Sequence, residues 1–283
     1  MRFWGVRGSV PSPGASTAGV GGNTSCVLVR VGGHTLILDG GTGLRGAGDA
    51  LLAESQGAPV RAHVFFSHLH WDHIQGLPFF GPAFLKGSAL HCHAGRVSGR
   101  TLREALAGQM AFPYFPVKFQ QIAENLSFRD VAVREQVHLD GGVSVYGVEG
   151  NHPDGVFAWR IEYKGHALVY ATDTEPSPHH EAALIALADG ADVLVYDAQY
   201  TPEEYEGRDG RGGRVGWGHS TMLDGARVAR AAGVGTYVLY HHDPGQDDAA
   251  VWAKEARARA EFEHSVAARE GLTLDVTRGK SQR

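Results

Sequence analysis

The stretch Val64-Phe65-Phe66-Ser67-His68-Leu69-His70-Trp71-Asp72-His73 decides how the rest of this chain is read. Val64 to Ser67 has the β-branched and aromatic character of a strand, so the three histidines and the aspartate that follow fall in a loop at a strand's carboxyl end. Each of these four side chains needs a polar partner, and an apolar core offers none. A bound metal ion satisfies them together, because imidazole and carboxylate are both good ligands for a divalent cation. The other reading is a set of surface histidines capping a helix that begins at Asp72. The density of the run argues against it.

Working outward, the chain has 283 residues, of which 43% are hydrophobic and 20% charged, the profile of an ordinary globular protein. We expect one domain over residues 1–283, since no low-complexity linker, charge block or fixed-period repeat divides it. The 16 histidines stand out against 3 methionines and 2 cysteines. Cys26 and Cys92 form no CxxC pair and cannot build a disulfide framework, so a reducing cytoplasm is the expected setting. The opening Met1-Arg2-Phe3-Trp4-Gly5 lacks the apolar core of a signal peptide, and no run of about 18 apolar residues follows, so no membrane association is expected. A net charge of −5 gives no global attraction to nucleic acid or to an acidic membrane surface, which disfavours a large RNA partner.

Short β-branched runs between glycine-rich turns predict strands at 35–39, 61–67, 143–149, 156–163, 167–172, 193–197 and 236–240. Helical patterning covers 101–109, 178–188, 222–232 and 249–269. This mixture predicts layered sheets with outer helices, an α/β (α+β) class. Residues 5–23 are glycine-rich and irregular, and residues 108–118 carry aromatics between prolines, either as a cover over the core or as a pocket wall.

Three more ligand candidates sit where predicted strands run out: His152, Asp173 and His241. His242 is adjacent to His241, and side chains alternate about a strand, so only one of the pair is expected to face a metal. Asp39 is expected to accept hydrogen bonds in the ligand loop and orient a histidine. His91 and His93 occupy a predicted strand, away from the other ligands. Arg7 offers either a phosphate contact or a buried structural pairing.

The run His68 to His73 matches HxHxDH without a gap, and in this the sequence resembles the metallo-β-lactamase superfamily. It looks most like the phosphodiesterase branch that includes ribonuclease Z, the cyclic-phosphate phosphodiesterase of phosphonate breakdown and class II cyclic nucleotide phosphodiesterases. Leu36-Ile37-Leu38-Asp39-Gly40-Gly41, Val195-Tyr196-Asp197-Ala198 and Gly218-His219-Ser220-Thr221 carry further likeness. The resemblance implies a four-layer αββα sandwich. It also implies two divalent metal ions, one on His68, His70 and His152, the other on Asp72, His73 and His241, with Asp173 bridging. Zinc suits this donor set, and so do manganese and iron.

The same resemblance makes Asp72, His219 and Asp197 the catalytic candidates. Two cations roughly 3.5–4 Å apart can share a hydroxide nucleophile and hold both the attacking and the leaving oxygen of an in-line displacement. His219 is then the candidate proton donor and Asp197 its orienting partner. The expected activity is hydrolysis of a small or cyclic phosphodiester. Alternatives are RNA processing of the ribonuclease Z kind, thioester or lactone hydrolysis, and a non-catalytic metal-binding sensor module. The apolar Phe112 to Val117 stretch also makes a homodimer conceivable.

Overall fold

A computed structural model describes residues 1–95 and 101–278. The alternation of side chains along its strands produces two sheets. The first comprises β1 (Arg2–Gly5), β2 (Cys26–Val31), β3 (His34–Leu38), β4 (Arg61–Phe66), β5 (Ala89–Gly95) and β6 (Leu126–Val131), lying side by side in that order. The second comprises β7 (Val137–Leu139), β8 (Val143–Gly150), β9 (Val156–Tyr163), β10 (His166–Ala171), β11 (Val193–Asp197), β12 (Thr236–Tyr240) and β13 (Ser265–Ala267), in the spatial order β13-β12-β11-β10-β9-β8-β7. Strands β3 to β6 run parallel, as do β10 to β13.

Period-2 patterning sends Leu36, Leu38 and Phe65 of the first sheet, and Trp159, Val193, Val195 and Val238 of the second, into one buried layer between the sheets. Their neighbours face outward: Ile37, Val64 and Phe66 meet the helices Gly43–Glu54 and Leu102–Gly108, while Leu194, Tyr196 and Leu239 meet Pro178–Ala188 and Met222–Ala231. The result is helix, sheet, sheet, helix, the four layers that the resemblance implied. Each such fully buried side chain contributes roughly 1.5–3 kcal/mol of transfer free energy. Trp159 also donates its indole N–H to the Phe66 carbonyl at 3.0 Å, tying β9 to the end of β4.

The long helix expected over 249–269 is instead Asp248–Glu261, and Ser265–Ala267 is a strand. The physical reason is the edge of β12, whose backbone groups must be paired. Phe262 turns extended (φ −146°), and Tyr237 to Leu239 pair with Ser265 to Ala267. Sheet pairing overrides the helix propensity of the residues beyond Glu261. No helix among the described residues is long and apolar enough to cross a membrane.

The final helix carries a buried cation. Lys254 is 1% exposed and donates to the carbonyls of Ala198 (2.5 Å) and Gln199 (3.2 Å). Burial pushes its pKa down to about 7 from 10.5, with Glu204 and Asp243 opposing. The folded chain therefore binds fewer protons at Lys254 than the unfolded chain between these two values. Its contribution to stability rises with pH across that window, by up to about 1.4 kcal/mol per unit. Denaturant melts of Lys254→Met and the native chain at neutral pH and near pH 9.5 should show the variant losing that rise. Parallel pH slopes for the two proteins would contradict the assignment.

Parallel strands place their carboxyl ends at one edge of a sheet. The residues after β3, β4, β8, β10, β11 and β12 thereby converge on a single rim of the sandwich.

Candidate metal centre

That rim gathers the seven ligand candidates into two clusters, and a third, overlapping group joins Asp173 and His241 to Asp197 and His219. Ligand-type atoms of His68, His70 and His152 lie within 4.8 Å of one another, and so do those of Asp72, His73, Asp173 and His241. The Asp173 carboxylate reaches both, with Oδ2 at 3.7 Å from His68 Nε2, 3.3 Å from His73 Nε2 and 3.2 Å from His241 Nε2. His70 Nδ1 and His152 Nε2 are 3.1 Å apart. Asp72 Oδ2 is 3.1 Å from both His73 Nε2 and His241 Nε2. His70, Asp72, His152, Asp173 and His241 line a cavity of about 520 Å³ together with Ser9, Leu69, Trp71 and His219.

Local backbone geometry aims these groups. Asp39, Asp173 and His241 all adopt left-handed φ (60°, 54° and 58°) just past a strand end, a conformation that costs of order 1–3 kcal/mol and persists where surroundings enforce it. The turn at His241 separates the two adjacent histidines. His241 joins the cluster, whereas His242 lies buried with Nε2 3.0 Å from the Ala268 carbonyl.

Three of the imidazoles have their far nitrogen engaged. His73 Nδ1 is 2.8 Å from Asp39 Oδ2, which also accepts from Ser67 Oγ (2.8 Å) and Tyr170 OH (2.7 Å). His241 Nδ1 is 2.8 Å from Gln199 Oε1, and His152 Nδ1 is 2.7 Å from the Gly218 carbonyl. Such partners fix the tautomer and leave the inward nitrogen's lone pair free for a cation.

Electrostatics favour positive charge here. Burial works against ionised Asp72, yet His73 and His241 outweigh it and hold the carboxyl well below the usual range. Burial likewise opposes charge on His73, but Asp72, Asp173 and Asp39 reverse it and raise its pKa well above the ordinary value. His68 is driven the other way, by burial first and His73 second, and stays neutral.

His219 stands beside both clusters, its ring centroid 5.0 Å from those of His152 and His241. Its Nδ1 is 2.7 Å from Asp197 Oδ2. Burial lowers its pKa, the Asp197 carboxylate raises it more, and the net value is about 9. Asp197 is itself held by the backbone N–H groups of Thr174 (3.2 Å) and Gln199 (2.9 Å).

Several residues here carried no readable signal in the sequence. Ser9 donates its backbone N–H to Asp72 Oδ2 at 2.8 Å, and a Cβ on Gly8 would fall 2.4 Å from His241 Cε1, so the 5–23 loop packs directly on the centre. Gln199 orients His241. Arg7 proves structural: it is fully buried and donates to the carbonyls of Gly21 (2.8 Å), Gln246 (2.7 Å) and Asp243 (3.2 Å). His91 and His93 lie on β5, outside both clusters. His91 Nδ1 is 2.8 Å from Ser127 Oγ and His93 Nε2 is 3.2 Å from His63 Nδ1.

Gly218 is a close approach with a testable consequence. A Cβ there would lie 2.3 Å from His152 Nδ1, and its φ is +86°. Gly216 shares that φ but has open space around its Cβ position. Gly218→Ala should weaken metal binding by about 10-fold or more through the displaced His152, while Gly216→Ala controls for backbone strain. Equal losses in the two variants would show that strain alone is responsible.

The donor set fits divalent cations. His68 Nε2 is buried without a hydrogen-bond partner beside the cluster, and burial keeps its ring neutral, as a ligand imidazole must be. Fold and site together define the class, a metal-dependent hydrolase. Residues 34–242 match the family model described as the beta-lactamase superfamily domain. Ribonuclease Z of Thermoplasma acidophilum is 23% identical over 314 residues, covering 97% of this chain and 95% of that protein. The metallo-β-lactamase fold protein YhfI of Bacillus subtilis superposes with a TM-score of 0.71 at 18% identity, covering 96% of each chain. A diphosphatase from the PhnP family gives 0.65 at 17% identity, covering 97% of this chain and 96% of that one. The chain belongs to the β-lactamase superfamily.

Proposed function

We propose that residues 1–283 form one cytoplasmic hydrolase domain that cleaves a small or cyclic phosphodiester. The observation that carries this reading is Asp173, whose single carboxylate lies within 3.7 Å of nitrogens from both clusters while the charged His219 stands beside it. In this reading His68, His70 and His152 would hold one divalent cation, Asp72, His73 and His241 would hold a second, and Asp173 would be shared between them, with zinc as the resident metal. Such a pair supplies Lewis acidity and water activation of the kind phosphoryl transfer needs.

The chain's own residues do the rest. His219 gives its proton to the departing alkoxide oxygen, and Asp197 holds the ring at that angle and keeps it charged. Asp39, Gln199 and the Gly218 carbonyl prevent the histidines from rotating away as charge redistributes. Ser9 donates to Asp72 and fixes its carboxylate. The names of the relatives support hydrolysis at phosphorus, and the net charge of −5 favours a small substrate over a long polyanion.

The zinc-loaded protein should hydrolyse bis-p-nitrophenyl phosphate and a cyclic nucleotide faster than a thioester, and should leave a tRNA precursor intact. Cleavage of the precursor alone would replace this reading with RNA processing. Activity on none of the four would leave a metal-binding module.

A further inference from the structure

Glu175 follows Asp173 by two residues, lies outside both clusters, and is 7% exposed. Its carboxylate gathers three donors, one from Tyr205 and two from the glycine-rich segment that follows it. Oε1 accepts from Tyr205 OH (2.5 Å) and the Gly216 N–H (2.7 Å), and Oε2 from the Gly218 N–H (2.9 Å). The Glu175 N–H in turn bonds to the Asn151 carbonyl at 2.8 Å, next to His152.

The segment so held is Gly207-Arg208-Asp209-Gly210-Arg211-Gly212-Gly213-Arg214-Val215-Gly216-Trp217-Gly218. Six of its twelve residues are glycine, so its unrestrained backbone has many conformations to lose. It ends at the Gly218 carbonyl, which accepts from His152 Nδ1, and runs straight into His219.

We propose that Glu175 is a positioning residue that sets the cation affinity of the His68, His70 and His152 cluster, acting through the Gly216–Gly218 backbone on the His152 imidazole. The chain of contacts is short: carboxylate to Gly218 N–H, Gly218 carbonyl to His152 Nδ1, His152 Nε2 to the cluster. A carboxylate is suited to the task because it only accepts hydrogen bonds and meets three donors here. Glutamine at this position would turn an amide N–H towards at least one of them. The proposal rests on the two-cation reading above and on no assumption about substrate.

The test is Zn²⁺ titration of the full-length Glu175→Gln protein against a chromophoric chelator, read beside amide hydrogen exchange over residues 205–218. One of two zinc equivalents should weaken by roughly 10–100-fold, the usual effect of losing a group that orients a ligand, while the other keeps its native affinity. The Gly216 and Gly218 amides should exchange faster. Tyr205→Phe is a milder form of the same test: it removes one donor and keeps the carboxylate, so the same equivalent should weaken by less.

Faster exchange with both equivalents at native affinity would make Glu175 a mere loop tether and overturn the proposal. Equal weakening of both would overturn it too. If Glu175→Gln does not fold, Tyr205→Phe decides, and unchanged affinity and exchange in that variant count against the idea. A native protein that takes up only one zinc refutes the two-cation reading instead. Two equivalents in the native chain and two unchanged in the variant refute only the role of Glu175.

Discussion

Asp173→Ala protein is expected to retain at most one of two divalent ions and to lose turnover of bis-p-nitrophenyl phosphate by about 10³-fold, the scale on which a preorganised electrostatic group acts. The expectation follows from position. Oδ2 of Asp173 lies close to His68, His73 and His241 together. Removing it leaves each cluster with its histidines but without the shared anion that offsets repulsion between two cations. The fold should survive, because Asp173 lies beyond the end of β10 and outside the apolar layers. Metal analysis after dialysis, with a circular dichroism check of folding, is the measurement. Full occupancy at both sites would sink the bridging assignment.

His219→Ala is the second large effect, and its signature differs. Turnover should fall by about 10²–10⁴-fold, the range for losing a positioned acid, while both metal equivalents stay bound. Loss of a metal would make His219 a ligand instead. The sign of the pH dependence follows from its raised pKa. The Asp197 carboxylate raises the pKa of His219, which favours the protonated donor at neutral pH, and the rate falls as pH rises through its pKa. Asp197→Asn withdraws the carboxylate 2.7 Å from Nδ1, so the alkaline limb of the pH–rate profile should move to lower pH. A limb that stays in place would mean that some other group titrates there.

Much of this protein was legible in its sequence. Strands at Val156–Tyr163, Val193–Asp197 and Thr236–Tyr240 and the helix Pro178–Ala188 have the residue bounds that pattern alone predicts. The strands are rich in β-branched and aromatic residues, and the helix in alanine and leucine after a proline at its first position, so local chemistry suffices. The ligand candidates were legible for a related reason. Histidines and aspartates placed where strands run out have few roles open to them, and seven such residues after strands point to one rim once the strands are parallel.

What local pattern cannot carry is which chain segments meet. The helix expected to reach residue 269 stops at Glu261, because the unpaired edge of β12 takes Ser265–Ala267 as a strand, a contact across 28 residues from Tyr237 to Ser265. His241 rather than His242 faces the cluster because the backbone turns left-handed where β12 leaves the sheet. Gly8, Ser9, Gln199 and Glu175 are ordinary loop residues in sequence. Each matters only because a distant segment lies against it: His241 on Gly8 and Gln199, Asp72 on Ser9, and Gly218 on Glu175. By itself the sequence pointed to layered sheets with outer helices and to the donor candidates. The tertiary structure decided how those donors are aimed, because aim depends on hydrogen bonds between residues tens to hundreds of positions apart, and no local periodicity encodes them.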